Sequence, residues 1–374
     1  MRDNLCAVVL PCLILVLNFW RWHERLLPVA YPDDLLQQEA RREVRSMQST
    51  QAMQRALTLS EKGYGLTYPN PIVGAVITNP AGEVIGEGFH QRFTSVDHAE
   101  VVAIKSSTQP LKGSTIYVTL EPCNHVGATP ACTSAIIKSE FARVVIATED
   151  PHAIASGGIQ TLRDAGIDVE VGLLAPDVKF SNRSWLHKIA TGRPRMIWKL
   201  AISHDNKIAQ GDGSPRWISC EQSRADVQVL RSQSDAIVIG TGTALADNPH
   251  LIPRVESLLR NPDRIVVGTR ELPENHNLFD KSAQTTFIKS NNLEEITSEI
   301  SSHGYNQVLL ECGPTLGNAL LKAGYIDELV IYQSPEILGE DGIDAFLDLD
   351  FELIRQDQIG VDTKSHYFVR KVSA

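Results

Sequence analysis

The segments HAE at 98–100 and PCNHVGATPAC at 122–132 decide the fold expected for the first half of the chain. His98, Cys123 and Cys132 offer one imidazole and two thiolates, and three such ligands beside one open position are how a catalytic zinc ion is held. Around them, HAEVVAIKSS is a predicted helix, STIYVTLEP a buried strand and TPACTSAIIKSE a second helix. The three ligands therefore lie where predicted helices begin and a predicted strand ends.

Glu100 is the remaining polar group of this set, and a carboxylate there can move protons between the attacking water, a ring nitrogen and a departing amine. The order H-x-E, P-C and a later cysteine is typical of zinc deaminases, although eight residues separate Cys123 from Cys132. We expect this longer loop to bulge away and return to a helix that Thr129 and Pro130 begin, which would lower the pKa of Cys132. Taken singly, an HxE is common and a cysteine is usually a small buried apolar residue.

The rest of the first half alternates between helix and strand patterns. Apolar residues recur at helical spacing over 51–62, and this pattern ends at Gly63. Two strands are predicted at 72–78 and 83–87, on either side of the turn NPAG. A further strand is predicted at ARVVIATED, and a helix followed by a strand at GGIQTLRDAGIDVEVGLL. This alternation predicts helices packed on a largely parallel sheet.

The segment TGRPRM at 191–196 is the expected domain boundary, because it is rich in turn formers and lacks periodicity. Beyond it, strands are predicted at MIWKLAIS, AIVIG, RIVVG, TTFIK, QVLLE and ELVIYQ, with helices such as EQSRADVQVLRSQS and GNALLKAG between them. We therefore expect one domain at 47–192 and a second α/β domain at 193–374.

Composition and net charge limit the classes of partner that the chain can bind. A formal net charge of -10 and a pI near 5.6 argue against a large electropositive face for nucleic acid. A small anionic ligand is still allowed, because a few local arginines suffice for it. The six cysteines are few and scattered, unlike a secreted disulfide framework, so we expect a reducing cytoplasm.

An apolar run, LCAVVLPCLILVL, occupies 5–17. A spanning helix needs about 20 apolar residues, and this run is shorter and contains Pro11. No small-residue cleavage site follows it. Met47 opens MQSTQAMQRALTLSEKG, so we favour a mis-called start, with 1–46 as an extension, over a membrane anchor.

Several longer motifs carry a family resemblance. GLTYPNPIVGAVI, GEGFHQRF, DHAE and YVTLEPCNHVGATPAC resemble the deaminase half of the bifunctional riboflavin biosynthesis family, and KLAISHDNKIA, GSPRWIS, DVQVLRSQSDAIVIGTGTALADNPHL and ECGPTLGNALL resemble its reductase half. The resemblance implies a cytidine-deaminase-like three-layer domain followed by a dihydrofolate-reductase-like α/β domain. It also implies zinc-dependent deamination of 2,5-diamino-6-(5-phosphoribosylamino)pyrimidin-4-one, and then NADPH-dependent reduction of the ribosyl side chain to ribityl.

The same resemblance implies the roles of individual residues. His98, Cys123 and Cys132 would hold zinc and Glu100 would be catalytic. Asn70 and His90 would lie near the pyrimidine; without the family, they would be a turn residue and a satisfied strand-end histidine. The implied NADPH contacts are Ala201, Trp217, Thr243, Asp247, Thr269, Gly313, Pro314, Thr315, Leu316, Gly317, Asn318 and Ala319. The implied substrate contacts in the second half are Lys199, Arg231, Leu251, Arg254 and Glu311, with Lys199 also a candidate proton donor.

On its residues alone, the second half gives weaker signals. VLLECGPTLGNALLKAG predicts a strand, a glycine-containing loop and a helix from about Asn318, whose N–H groups would suit a phosphate, although a tight turn is the plainer interpretation. The chain has no GxGxxG, so a Rossmann site is not supported. Arg231 and Arg254 suit a ribose phosphate, and solvated surface charge is their alternative.

Some positions depart from the family pattern. Ala128 stands where a lysine or arginine is usual for the substrate phosphate, Pro215 replaces a serine, and Gly268 replaces an aspartate. Asp97 replaces a proline, and DPHAIASGG is one residue short. Asn206 replaces a glycine in a tight turn, which asparagine tolerates.

These departures leave alternatives to a bifunctional enzyme. One is a deaminase with a degenerate or altered-specificity reductase domain, and another is a non-catalytic zinc-stabilised binding protein, which Glu100 argues against. The expected partner is a small phosphorylated pyrimidine rather than nucleic acid or a membrane. A homo-oligomer stays open.

Overall fold

The computed structural model describes residues 33–125, 130–152, 156–210, 218–256, 258–345 and 351–370, with side chains from Met47 onward. The chain divides into two compact units, 1–49 and 50–374, and the second contains both large sheets. Helix α1, Asp33–Glu61, is longer than the helix predicted over 51–62. The apolar run at 5–17 lies outside the described residues. Within them, no helix is long and apolar enough to cross a membrane.

A five-stranded sheet forms the first half, in the order β2-β1-β3-β4-β5. Its strands and helices are β1 (Gly74–Thr78), β2 (Val84–Phe89), α2 (Ala99–Lys105), β3 (Thr115–Leu120), α3 (Cys132–Lys138), β4 (Arg143–Thr148), α4 (Gly158–Asp164), β5 (Asp168–Val171), α5 (Ala175–Ser181) and α6 (Arg183–Thr191). The expectation of a largely parallel sheet is wrong for β1, which pairs antiparallel with both β2 and β3, whereas β3, β4 and β5 are parallel. The NPAG turn makes β1 and β2 a hairpin, and a hairpin is necessarily antiparallel.

Helices cover both faces of this sheet, which gives three layers. On one face Met53 and Ala56 of α1 pack with Val76, and on the other a cluster that includes Ala99 and Ala103 of α2 is fully buried. Gly88 allows the close approach of α2, since a Cβ there would lie 2.3 Å from the carbonyl oxygen of Ala99. Burial of the apolar helix faces therefore fixes the start of α2 against β2, and that start carries His98 and Glu100.

An eight-stranded sheet forms the second half, in the order β10-β9-β8-β11-β6-β12-β15-β14. The elements are β6 (Arg195–Ile202), β7 (Lys207–Ala209), α7 (Glu221–Ser232), β8 (Ala236–Gly240), α8 (Thr241–Asp247), β9 (Asp263–Val267), a 3-10 turn (Asn277–Phe279), β10 (Thr285–Ile288), α9 (Leu293–Ser302), β11 (Gln307–Leu310), α10 (Pro314–Lys322), β12 (Glu328–Gln333), β13 (Ile343–Asp344), β14 (Phe351–Ile359) and β15 (Asp362–Val369). The first six strands in that order, from β10 through β12, pair in parallel with their neighbours. At the other end of the sheet, β15 pairs antiparallel with β12, and β14 pairs antiparallel with β15. β7 pairs with β13 in a separate ribbon.

The six strands predicted in the second half are present as β6, β8, β9, β10, β11 and β12. The predicted helix from about Asn318 begins earlier, at Pro314, with Gly313 as its N-cap. Proline is favourable at the first helical position, where its missing N–H has no intrahelical partner in any case. Parallel strands bring their carboxyl ends to one edge of the sheet, and α8 and α10 begin there.

Candidate functional site

Three elements bring the predicted zinc ligands together. His98 is the N-cap of α2, Cys132 is the first residue of α3, and Cys123 follows β3. The His98 Nδ1 atom lies 3.6 Å from the Cys123 sulfur and 3.3 Å from the Cys132 sulfur. All three ligand atoms lie within 4.8 Å of one another. Sequence positions 34 residues apart therefore form one cluster.

The donor set fits a zinc ion. A tetrahedral site with Zn–S near 2.3 Å and Zn–N near 2.0 Å separates a sulfur from a nitrogen ligand by about 3.6 Å. Of the two observed nitrogen–sulfur distances, 3.6 Å equals this separation and 3.3 Å is slightly shorter. A backbone N–H also points into the cluster, from Cys132 to the Cys123 sulfur at 3.4 Å, and stabilises a thiolate there.

The expected helix start at this site needs correction. The N-cap of α3 is Ala131 and not Thr129, and Thr129 lies outside the described residues, as do Val126 to Ala128. The pKa of Cys132 is raised rather than lowered, because its thiol donates to Cys123 and because it is buried. The pKa of Cys123 is lowered to about 4, first by that hydrogen bond from Cys132 and also by His98.

Glu100 lies in the first turn of α2 and is 3% exposed. Burial raises the pKa of its carboxyl group, and its own N–H and the neighbouring His98 oppose that effect. The raised pKa brings the carboxyl group closer to the range in which it can both accept and return a proton. Its position beside the ligand cluster is the one that the sequence pattern predicts for a proton shuttle.

A cavity of about 700 Å³ opens beside the cluster. Its wall contains five of the predicted residues, namely Asn70, His90, His98, Glu100 and Cys123. Several further wall residues were not predicted from the sequence, and they are Arg92, Glu121, His125, Asp150, His152, Trp185, Lys188 and Ile189. The last three come from α6, a helix that was not predicted either. The hydrophobic periodicity of RSWLHKIAT is the signal that could have indicated it.

Asn70 and His90 form a hydrogen-bonded pair on this wall. The Asn70 Nδ2 lies 3.2 Å from the His90 Nε2, and the His90 Nδ1 lies 3.2 Å from the carbonyl oxygen of Asp97. Burial lowers the pKa of His90 to about 4, so the ring is neutral at pH 7. A neutral ring that donates from Nδ1 to Asp97 must accept at Nε2 from the Asn70 amide. The Asn70 Oδ1 is thereby oriented as an acceptor.

Glu121 orders a second part of the wall. Its carboxylate accepts hydrogen bonds from the backbone N–H groups of Asp150, Gly157 and Ile159, at 3.1, 3.0 and 3.0 Å. These bonds fix both ends of the shortened DPHAIASGG segment, of which 153–155 lie outside the described residues. Burial raises the pKa of Asp150, whose carboxylate accepts from the N–H of His152.

The second half has its own cavity, of about 660 Å³. Among the predicted cofactor residues, those that line it are Thr243, Asp247, Thr269, Gly313, Thr315, Leu316 and Ala319. Ala201, Pro314, Gly317 and Asn318 are not part of this lining, and Trp217 lies outside the described residues. Gly313 and Thr315 place the start of the nine-residue helix α10 on the cavity, so backbone N–H groups are available to an anionic ligand there.

Gly317 has a packing role behind this cavity. A Cβ at that position would lie 2.1 Å from the Cζ2 atom of Trp198, so the indole ring occupies the space that a side chain would need. The Trp198 Nε1 donates to the carbonyl oxygen of Cys312 at 3.2 Å, which holds the ring beneath the loop. Trp198 therefore sets the position of α10 against β6.

The predicted substrate residues Lys199, Arg231 and Glu311 form a partly buried charge cluster. Arg231 donates from Nε and Nη2 to the two carboxylate oxygens of Glu311, at 2.5 and 2.7 Å, and the Lys199 Nζ lies 3.7 Å away. Although burial alone would raise it, these two cations hold the pKa of Glu311 at about 2. Arg231 is therefore not a solvated surface charge.

The other two predicted substrate residues, Leu251 and Arg254, are not part of this charge cluster. Leu251 is buried, with a φ of 55°. Arg254 is exposed, and its backbone N–H donates to the Gln228 side chain on α7, the helix that carries Arg231. The structure thus connects Arg254 to Arg231 through one helix.

Two of the departures from the family pattern have a structural reason. Asn206 has a φ of 61°, the left-handed conformation that was expected of it. Gly268 has a φ of 129°, and a Cβ there would lie 2.5 Å from the Thr241 hydroxyl, so an aspartate would be strained on this backbone. Ala128 and Pro215 lie outside the described residues.

Each half of the chain matches the model of a known protein family. Residues 46–148 match the model of the cytidine and deoxycytidylate deaminase zinc-binding region, and residues 194–364 match the model of the RibD C-terminal domain. Together with the histidine–cysteine cluster and the second cavity, these matches define a zinc-binding deaminase joined to a reductase.

Similar proteins narrow this class further. The chain is 42% identical over 293 residues to the riboflavin biosynthesis protein RibD of Mycobacterium tuberculosis, covering 77% of this chain and 86% of the relative. It is 37% identical over 331 residues to the protein of the same name from Escherichia coli, covering 79% and 90%. A solved structure of Acinetobacter baumannii RibD matches with a TM-score of 0.79 at 31% identity, covering 87% of this chain and 100% of that one. The chain belongs to the RibD family.

Family membership fixes the general activity. The protein is a bifunctional enzyme of riboflavin biosynthesis, with a hydrolytic deaminase in its first half and a reductase in its second. The deaminase-like fold followed by a reductase domain, which the sequence motifs implied, is confirmed. The alternatives of a degenerate reductase or a non-catalytic binding protein are not favoured.

Proposed function

We propose that the first half hydrolyses an amino group from 2,5-diamino-6-(5-phosphoribosylamino)pyrimidin-4-one, and that the second half reduces the ribosyl side chain of the product with NADPH. A Thermotoga maritima structure, described as a diaminohydroxyphosphoribosylaminopyrimidine deaminase and 5-amino-6-(5-phosphoribosylamino)uracil reductase, supports this substrate. It matches with a TM-score of 0.80 at 30% identity over 87% of this chain. The observation that carries the proposal is the cluster of His98, Cys123 and Cys132, because its first two members share one cavity wall with buried Glu100.

In the deaminase half, His98, Cys123 and Cys132 would hold a zinc ion, which supplies Lewis acidity for the activation of water when bound. Glu100 takes a proton from the attacking water and gives it to the pyrimidine ring nitrogen. It then takes the remaining proton of the added hydroxyl group and passes it to the amine, which leaves as ammonia while the carbonyl group forms. The Asn70 Oδ1, oriented by neutral His90, accepts a hydrogen bond from an N–H of the pyrimidine. Glu100 is buried, so its carboxyl group is shielded from bulk water, which strengthens the interactions that it makes.

In the reductase half, the cavity lined by Thr243, Thr269 and the start of α10 holds NADPH, whose nicotinamide supplies a hydride when bound. Lys199 is the proton donor, and Glu311 and Arg231 fix its surroundings. Because the Nε and Nη2 atoms of Arg231 are engaged by Glu311, the guanidinium meets the substrate through its remaining N–H groups. Exposed Arg254 is the second cation for the ribose phosphate.

A cytoplasmic location accords with this assignment. Cys123 and Cys132 are free thiols, as are Cys220 and Cys312, and a reducing compartment would keep the first two available as metal ligands.

The proposal is tested on the purified full-length protein by three measurements. Metal analysis should give one zinc ion per chain. Ammonia release should require the phosphorylated diaminopyrimidine, and oxidation of NADPH should require the deaminated product. Zinc-replete protein that releases no ammonia from this pyrimidine would refute the assignment of the first half, and absence of NADPH oxidation with the deaminated product would refute that of the second.

A further inference from the structure

The deaminase cavity has a neighbour that belongs to the reductase half. Asn306 precedes β11 and is 8% exposed. Its Nδ2 donates to the backbone carbonyl oxygen of Asn70 at 2.8 Å. Asn70 lines the deaminase cavity, so a side chain from the second sheet fixes the backbone of a wall residue of the first site.

The same side chain contacts a cation on that wall. The Lys188 Nζ donates to the Asn306 Oδ1 at 3.5 Å and to the carbonyl oxygen of Gly304. Both acceptors are neutral, and in the part of the chain that the structure describes, Lys188 forms no ion pair with a carboxylate. An ammonium group held only by neutral oxygens keeps its charge available to an anion that enters the cavity.

Asn306 is itself held rigidly from the reductase side. Its backbone N–H donates to the buried carboxylate of Asp235 at 2.7 Å, and the N–H of Gln307 donates to the same oxygen at 2.9 Å. The main chain of Asn306 is therefore anchored in the second sheet, and its carboxamide extends toward the first half. One amide nitrogen and one amide oxygen then hold two different wall residues, Asn70 and Lys188.

We propose that Asn306 is a positioning residue of the deaminase site, which fixes the Asn70 carbonyl and holds the Lys188 ammonium group for the phosphate of the substrate. The inference rests on the proposed substrate and adds the residues that recognise its phosphate. Burial also lowers the pKa of Lys188, with Asp235 opposing that effect, so an incoming phosphate would favour the protonated form. Arg92, an exposed residue of the same wall, is a second cation at the rim.

The test compares the phosphorylated diaminopyrimidine with its dephosphorylated ribosylamino analogue in the full-length protein. The readout is the ratio of the two KM values for ammonia release. Lys188→Ala should raise the KM of the phosphorylated compound relative to that of its analogue by about tenfold, the loss typical of one charge-assisted hydrogen bond. Asn306→Ala should change the ratio in the same direction, and the double variant should change it no further than Lys188→Ala alone.

Two further variants separate positioning from folding. Ser184→Ala removes the 2.8 Å hydrogen bond from the Ser184 hydroxyl to Gln307, a buried contact between the same two halves, and should leave the ratio unchanged. Asn306→Asp keeps an acceptor for Lys188 but loses the donor to the Asn70 carbonyl oxygen. Its carboxylate should compete with the substrate phosphate for Lys188 and so raise the ratio of KM values. This variant tests the inference even if Asn306→Ala folds poorly.

An unchanged ratio in Lys188→Ala, or in both Asn306 variants, would overturn the inference. So would equal loss of ammonia release and NADPH oxidation in both Asn306 variants without a change in the ratio, which is the pattern of a purely structural residue. Wild-type protein that releases no ammonia from the phosphorylated compound would instead refute the proposed substrate. The two failures are therefore distinguishable.

Discussion

Arg231 and Glu311 form a two-bonded ion pair in the reductase half, with nitrogen–oxygen distances of 2.5 and 2.7 Å. The side chains are 19% and 8% exposed, so neither charge is fully solvated. A buried carboxylate of this kind contributes little net stability with its partners present, but removing it leaves cations without compensation. One carboxylate, at the end of β11, therefore contacts both Arg231 and Lys199.

Glu311→Gln should destabilise the reductase half and abolish its activity. The substitution keeps the shape but leaves the Arg231 and Lys199 charges unpaired, which costs about 3 kcal/mol at a buried site. Urea unfolding and NADPH oxidation would measure the two effects. The matched control is Arg355→Gln, which removes an exposed ion pair with Asp357 and should cost less than about 1 kcal/mol. Equal stability of Glu311→Gln and this control would contradict the assignment.

Glu100→Gln should abolish ammonia release without loss of zinc. The amide keeps the size of the carboxylate but cannot accept the proton of the attacking water, and loss of a general acid–base typically lowers the rate by about 10²- to 10⁴-fold. Steady-state ammonia release and metal analysis on the same preparation provide the measurement. Cys132→Ser is the comparison, since it should lower zinc content and activity together. Retention of deaminase activity in Glu100→Gln would show that another group moves the proton.

His90→Phe should weaken pyrimidine binding more than turnover. Phenylalanine keeps a ring in the same space but offers no acceptor for the Asn70 amide, which then loses its fixed orientation. We expect KM for the pyrimidine to rise about tenfold, the effect of one lost hydrogen bond, with kcat within about threefold of wild type. A large fall in kcat at constant KM would instead assign His90 to the chemical step.

Gly317→Ala should destabilise the second half and impair its cofactor cavity. The new Cβ would overlap the Trp198 ring, and overpacking of a core typically costs about 1–3 kcal/mol. Helix α10 must then move away from β6, so the KM for NADPH should rise as well. Gly313→Ala is the control for stability, because nothing lies within 4 Å of its Cβ position. Thermal unfolding that ranks the two variants in the reverse order would exclude this packing role.

Asp235 should make the stability of the protein pH-dependent. Burial raises the pKa of its carboxyl group from 3.8 to about 6 in the folded state. Between about pH 4 and 6 the folded state therefore binds a proton that the unfolded state lacks. The contribution of Asp235 to the free energy of unfolding increases as the pH falls through 6 and disappears as the pH rises above it. Relative to the Asp235→Asn variant, the free energy of unfolding of the wild type should increase by about 1 kcal/mol when the pH is lowered from 7.5 to 5. Urea unfolding at both pH values would show it, and a pH-independent difference would contradict the raised pKa.

The sequence predicted those parts of the molecule whose signals are local. Strands with continuous apolar runs, such as AIVIG and QVLLE, became β8 and β11, because a buried parallel strand needs apolar residues on both faces. The zinc cluster was predictable because its ligand types and their order are specific. Asn206 was predictable because asparagine tolerates a positive φ.

Other parts depend on contacts between distant segments, which no local pattern carries. The edge hairpin of β14 and β15 was missed since its mixed polar sequence gives weak periodicity. The pairing of Arg231 with Glu311 joins residues 80 positions apart. Lys188 and Asn306 each look like ordinary surface-type residues in sequence, and only the packing of α6 against the second sheet brings them to the deaminase cavity.

Because α6 lines the deaminase cavity, and because Asn306 of the second half bonds to Asn70 and Lys188 of its wall, the two catalytic halves are not interchangeable modules. A chimera that joins this deaminase to the reductase of another protein would have to carry matching residues at 188, 304 and 306. A cut at 148, where the deaminase family match ends, would remove the helix that bears Trp185 and Lys188 from the deaminase cavity. For protein engineering, the practical unit of the deaminase thus extends into the chain that follows it.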